Sequence, residues 1–159
     1  MGFETYLVPT DGSEPAEAAA ERAFDLAKQC DASIHVLSVA DDSVTGGIAQ
    51  GDDSTELRER LHERASDRAL ALREEAQEHG LDAIVAVRTG APADEIVEYA
   101  STASVDAIVM GTSGRGGLRR ALVGSVADRV VRTAPVPVMT INTTTTKVDE
   151  QRPLATPTN

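Results

Sequence analysis

The chain has no tryptophan, only two phenylalanines and two tyrosines, and a single cysteine in 159 residues. With so few rings its core has to come from Val, Leu, Ile and Ala, which suits a parallel sheet buried between helices. The lone Cys30 excludes an intrachain disulfide and fits a reducing compartment. On a helix it reads as a small buried apolar residue. No apolar run approaches the ~20 residues needed to cross a bilayer, so no membrane partner is expected. The opening Met1-Gly2-Phe3-Glu4-Thr5-Tyr6-Leu7 has neither a basic start nor a long apolar stretch, which predicts no signal peptide and a cytoplasmic protein. Lysine is nearly missing too: Lys28 and Lys147 stand against thirteen arginines. The net charge of -11 argues against nucleic acid as a partner, because phosphate backbones need a basic face. An acidic, lysine-poor surface fits work in concentrated salt, where screening removes self-repulsion. An ordinary acidic cytoplasmic protein is the alternative.

Several sharp motifs are also lacking. There is no Gly-x-x-x-x-Gly-Lys-Ser/Thr, and the first apolar run is not followed by Gly-x-Gly-x-x-Gly. A phosphoacceptor receiver would want an acid ending the third strand, where Arg88-Thr89-Gly90 stands instead. His35, His62 and His79 have no metal-ligand spacing. No nucleophile stands beside a base, so no catalytic residue is assigned.

What is present is 41% apolar and one domain long, enough for a sizeable single core. Five short runs rich in β-branched residues read as strands: Tyr6 to Val8, Ile34 to Ala40, Ile84 to Val87, Ala107 to Met110 and Val136 to Ile141. Helical patterns fill the gaps. Ser13 caps the first, with Pro15 in its first turn and Cys30 near its end. Leu57, Leu61, Ala65, Ala69, Leu72 and Ala76 mark one face of the second, with a capping box at Asp53 and Glu56 and a stop at Gly80. A third runs from near Ala91-Pro92 to about Thr102. A fourth carries Leu118, Leu122, Val126 and Val130 on one stripe and ends before Pro135. Strands alternating with helices give an α/β fold, a doubly wound parallel sheet of five strands. Asp41 to Thr55 reads as a flexible surface loop. The domain spans residues 1–142, and 143–159, with four consecutive threonines, reads as a disordered tail.

In such sheets ligands sit at the carboxyl ends of the strands, where the winding reverses. Two loops flank that point, Pro9-Thr10-Asp11-Gly12 and the stretch from Gly111 to Ser125. The second reads Gly-Thr-Ser-Gly-Arg-Gly-Gly-Leu-Arg-Arg-Ala-Leu-Val-Gly-Ser. Its glycines let backbone approach a ligand, and successive N–H groups in such a loop form an anion-binding concavity. Thr112, Ser113 and Ser125 add hydroxyls. If the middle of the loop arches outward, Gly124-Ser125 returns to the end of strand four, and helical backbone starting there aims free N–H groups at an anion. From Gly111 to Arg132 five arginines face one acid, a local charge of +4 in an acidic chain, whereas Asp41 to His79 is -6. The bland alternative is a Gly-rich surface loop with solvated arginines. Asp11, ending strand one, can accept from ribose hydroxyls or hold Mg²⁺ beside phosphates, or it can serve as a turn or cap ahead of Ser13. Both roles can coexist.

Gly111, Gly114, Gly124 and Ser125 keep the spacing Gly-x₂-Gly-x₉-Gly-Ser/Thr, Val8 to Ser13 reads Val-Pro-Thr-Asp-Gly-Ser, and Pro135 to Val138 reads Pro-Val-Pro-Val. In these features the chain resembles the universal stress protein family, from Phe3 to about Ile141. The resemblance implies a flavodoxin-like, adenine-nucleotide-hydrolase-like fold, with the strand order 3-2-1-4-5, that binds ATP, or AMP or ADP, with Mg²⁺. It implies that Asp11 meets ribose or metal and that Val39 flanks the adenine, with Pro9, Thr10 and Met110 also binding the nucleotide. Gly111, Ser113, Gly114, Arg115, Gly124, Ser125 and Val126 would surround ribose and phosphates, with Ser113 and Arg115 at positions where the family varies. It implies a homodimer pairing through the last strand, Val136 to Ile141, where Pro137 suits an edge. The expected role is a nucleotide-dependent stress-response regulator. A slow ATP hydrolase using the same pocket and a nucleotide-independent dimeric scaffold are the rivals.

Overall fold

The computed structural model describes residues 2–43, 52–112 and 123–143. Within them nine elements alternate: β1 (Thr5–Pro9), α1 (Glu14–Cys30), β2 (Ser33–Ala40), α2 (Asp52–Glu78), β3 (Ala83–Thr89), α3 (Pro92–Thr102), β4 (Ala107–Gly111), α4 (Ser125–Thr133) and β5 (Val138–Ile141). All strand pairs are parallel, as expected from the alternation, and the sheet order is β3-β2-β1-β4-β5, as the family resemblance implied. The chain winds outward from β1 to β3, then returns to the other side of β1 for β4 and β5. With right-handed crossovers, that reversal puts α1 and α2 on one face and α3 and α4 on the other.

Side chains alternate across each strand, so the sheet feeds two cores. Tyr6 and Val8 of β1 face Phe24 of α1 and Leu72 of α2, while Leu7 faces Ile96 of α3 and Val130 of α4. Phe24, Leu7, Ile34, Leu37 and Ile108 are fully buried. The paucity of rings is met by alanine: α1 lies on the sheet through Ala16, Ala19, Ala20, Ala23 and Ala27.

Local signals explain most boundaries. The Ser13 hydroxyl accepts from the Ala16 N–H at 3.3 Å and caps α1. Gly80, at φ 78°, turns the chain after α2. Pro92 opens α3. Four expectations need correction. The last strand begins at Val138, two residues late, because Pro137 brings no N–H; its carbonyl still accepts from the Ile108 N–H at 2.9 Å. Helix α2 starts at Asp52, so Asp52 to Thr55 are helix and not loop, and Asp53 sits inside the first turn rather than capping it. Helix α4 starts at Ser125, since Val123 and Gly124 are not helical; Leu118 and Leu122 lie outside the described residues, as do residues 44–51 and the tail beyond Thr143. Cys30 is exposed, because the last turn of α1 runs past the sheet.

Ser38, on β2, is fully buried, and its hydroxyl has no hydrogen-bond partner among the described residues. An unpartnered buried hydroxyl carries a desolvation penalty of about 1–3 kcal/mol. Ser38→Ala is therefore expected to stabilise the fold by up to about 1 kcal/mol, raising Tm by about 2–4 °C. Urea unfolding checks it; a loss above 1 kcal/mol would show the hydroxyl to be engaged.

Candidate functional site

At the carboxyl end of the sheet, β1 stays paired to β2 through Pro9↔Leu37, while its ladder to β4 ends at Leu7↔Ile108. The two central strands therefore part above Leu7, and a crevice opens where the winding reverses. Pro9 lies two residues beyond Leu7 and shares its face. Val39 of β2 and Met110 of β4 pack into the same α3/α4-side core. Pro9, Val39 and Met110 thus form an apolar strip across three adjacent strands β2, β1 and β4.

The turn after β1 is closed by its own side chains. The Thr10 N–H donates to the Leu37 carbonyl at 2.8 Å and continues the β1–β2 ladder by one residue. The Thr10 hydroxyl oxygen accepts from the Gly12 N–H at 3.1 Å, and Asp11 Oδ1 accepts from the Ser13 N–H at 3.0 Å. Asp11 is therefore the turn residue that one reading of the sequence required. Gly12, at φ 74°, supplies the left-handed step.

The far wall is the start of α4. The Gly124 N–H donates to the Thr112 carbonyl, and the Thr112 N–H donates to the Ile141 carbonyl at 3.2 Å. Residues twelve apart in sequence are thereby pinned together, so the return of Gly124-Ser125 to the end of β4 is realised. Gly124 caps α4 without a side-chain hydrogen bond, and the Asp128 N–H donates to the Gly124 carbonyl at 2.9 Å. The N–H groups of Ser125, Val126 and Ala127 have no acceptor inside the helix and lie at its positive end.

Two sequence inferences change. Gly111 has a packing role: a Cβ there would stand 2.8 Å from the Pro15 carbonyl oxygen, so the missing side chain lets β4 meet the start of α1. The basic island is smaller than its count of arginines. Arg129 pairs with Asp94 of α3 at 2.7 Å and Arg132 with Asp128 at 3.1 Å. Ser113, Gly114 and Arg115 lie outside the described residues. One charged residue the sequence reading missed is Arg68 of α2, whose Cδ and Nε lie 3.1 Å from where a Gly12 Cβ would stand. Its only signal was a charge flanking an apolar helix stripe. Among the described residues no cluster of three or more His, Cys, Asp or Glu could hold a metal, and no helix is long and apolar enough to cross a membrane.

A polar pair lies lower on the sheet, outside the crevice. The Tyr99 hydroxyl meets His35 Nδ1 at 3.0 Å, with the Arg88 guanidinium 5.8 Å from the Tyr99 ring centre. Burial lowers the His35 pKa and raises that of Tyr99, which Arg88 partly offsets. Because His35 takes up its proton less readily folded than unfolded, its contribution is full above about pH 6.5 and is lost as pH falls toward the lowered value. His35→Asn keeps a polar atom near the Nδ1 position; its Tm is expected to fall less than that of the parent between pH 7 and 5. Equal falls would remove His35 from the pH dependence.

Comparison with known proteins places these features in a wider set. Residues 2–142 match the model of the universal stress protein family. A universal stress protein of Methanocaldococcus jannaschii, MJ0531, is 36% identical over 139 residues, covering 87% of this chain and 82% of the relative. The structure of MJ0577, from the same organism, superposes with a TM-score of 0.80 at 27% identity, covering 89% of this chain and 97% of that one. More distant universal stress proteins share the fold: one in complex with cAMP (TM-score 0.60, 24% identity, 89% of this chain and 98% of that one) and one from Archaeoglobus fulgidus in complex with dAMP (0.62, 23%, 89% and 99%).

Proposed function

This chain belongs to the universal stress protein family, and we propose that it binds ATP, or AMP or ADP, in the crevice between the β1 turn and the start of α4. The observation that carries the reading is the Gly124–Thr112 backbone bond, which seats an uncapped helix N-terminus at the mouth of β4. Such a terminus favours phosphate. Two distant fold relatives held cAMP and dAMP, both adenine nucleotides, which supports the ligand class. The strip of Pro9, Val39 and Met110 takes the adenine. Asp11 takes the ribose hydroxyls through Oδ2. The N–H groups of Ser125 and Val126 and the Ser125 hydroxyl, with Gly124 beside them, take the phosphates, joined by Ser113, Gly114 and Arg115 of the connecting loop. Mg²⁺ needs only one or two carboxylates beside substrate phosphates, and Asp11 fits that demand.

The protein works as a homodimer through the outer edge of β5, where Met139 is 41% exposed and Pro137 precedes the strand. It reports nucleotide state in the cytoplasm, free of membrane and nucleic acid, with at most slow hydrolysis. Asp11 is the one carboxylate among the assigned residues, and its Oδ1 is already committed to Ser13.

The test is to purify the protein in high salt, denature it and identify released nucleotide by mass. An adenine nucleotide is expected. Mg-ATP at a hundred times its Kd should also stabilise the fold by about 2.7 kcal/mol. Empty protein together with unshifted melting would favour the scaffold instead.

A further inference from the structure

We propose that Arg68, laid across Gly12 from the core-facing stripe of α2, is a positioning residue that holds the β1 turn and so sets the site's preference for ligands carrying a ribose. The inference rests on the adenine-nucleotide reading of the crevice.

Helix α2 meets the sheet through Ala65, Ala69, Leu72 and Ala76, all buried. Position 68 is three residues after Ala65 and four before Leu72, so it falls on that same stripe. A charged residue there is costly unless something recovers the cost. The neighbouring alanines are short and let α2 lie close to the sheet, and the half-buried Arg68 chain reaches sideways to the β1 turn. The three heavy atoms nearest to where a Gly12 Cβ would stand all belong to Arg68: Cδ at 3.1 Å, Nε at 3.1 Å and Cγ at 3.4 Å.

That contact acts on the one residue of the turn with the widest conformational freedom. Gly12 sits at φ 74°, a conformation it leaves easily. Inside the turn, the Gly12 and Ser13 N–H groups are held by the side chains of Thr10 and Asp11. If Gly12 relaxes, the Ser13 N–H moves off Asp11 Oδ1 and the carboxylate loses its aim. The Arg68 stem closes the open side of Gly12 and blocks that movement. The ligand group that depends on the Asp11 direction is the ribose; the adenine rests on Pro9, Val39 and Met110, which the turn does not position.

Arg68→Ala removes the stem, whereas Arg68→Met keeps it without the charge. Two readouts separate this inference from the reading it rests on. By calorimetric titration, Arg68→Ala is expected to weaken adenosine and AMP about tenfold, leave adenine unchanged, and be rescued by Arg68→Met. Equal losses for adenosine and adenine, or none, would overturn the assignment. By NMR without ligand, the Gly12 and Ser13 amides of Arg68→Ala should exchange about tenfold faster than in the parent, while amides of α3 stay unchanged. Unaltered exchange overturns the inference even if nucleotide binds. Failure of the parent protein to bind any adenine compound would overturn the nucleotide reading, and the amide exchange would still decide whether Arg68 holds the turn.

Discussion

Gly111→Ala is expected to lower stability by about 2–3 kcal/mol and Tm by about 5–10 °C, the upper range for overpacking in a domain of this size. The added methyl would stand 2.8 Å from the Pro15 carbonyl oxygen, 2.9 Å from its carbonyl carbon and 3.0 Å from its Cβ. Real Cβ atoms do not approach backbone this closely, and no flexible side chain is there to yield. The first turn of α1 has to move, and α1 is fixed to the sheet by a row of alanines with no slack. The displacement passes directly to Ser13, whose N–H is held by Asp11, so nucleotide binding should weaken together with stability. Two other glycines serve as controls. Gly80 has φ 78° and nothing within 4 Å of an added Cβ, so Gly80→Ala carries backbone strain alone, about 1 kcal/mol. Gly2 has neither strain nor neighbours, and Gly2→Ala should be silent. Urea unfolding of the three variants should rank Gly111 above Gly80 above Gly2. If Gly111→Ala costs no more than Gly80→Ala, the packing role fails and the glycine serves the ligand alone.

That result would also mark the limit of what the sequence discloses. The strands were legible because short β-branched runs bounded by turn residues are a local signal. Alternation and handedness gave a doubly wound parallel sheet without any knowledge of contacts, and the family resemblance supplied the order of its strands. Ser13, Gly80 and Pro92 declared helix ends because capping chemistry is local as well. Gly111 was different: its neighbour Pro15 lies ninety-six positions earlier in the chain, and no local pattern distinguishes a glycine that admits a ligand from one that admits a helix. Arg129 and Arg132 were counted toward an anion site because net charge does not show pairing; Asp94 and Asp128 pair with them. Leu57 matched the apolar stripe of α2 yet is 41% exposed, because periodicity gives a face and not the length over which a sheet lies beneath it. Arg68 was missed because it flanks an unbroken stripe, three residues after Ala65 and four before Leu72, and only the fold brings it to Gly12.

Ser125→Pro is expected to weaken ATP on the order of a hundredfold while leaving adenosine within about twofold of the parent. Ser125 is the first residue of α4 and its N–H has no acceptor inside the helix, so proline there breaks no intrahelical bond. The preceding Gly124 has φ -58° and ψ 158°, the extended region that a residue before proline must occupy. The backbone therefore accepts the substitution as it stands, and the Gly124–Thr112 bond survives. What disappears is one N–H and one hydroxyl aimed at the proposed phosphate. Each charge-assisted hydrogen bond is worth about 1.5–3 kcal/mol, and the loss of two corresponds to a factor on the order of a hundred or more. Thermal unfolding should show Tm within about 2 °C of the parent, because proline at the first helical position is tolerated. The contrast between ATP and adenosine is what makes the variant decisive. A site that used α4 only as scaffold would lose neither ligand, and a site that placed ribose or base at the helix start would lose both. Selective loss of ATP alone requires that the uncapped N-terminus of α4 face the phosphates.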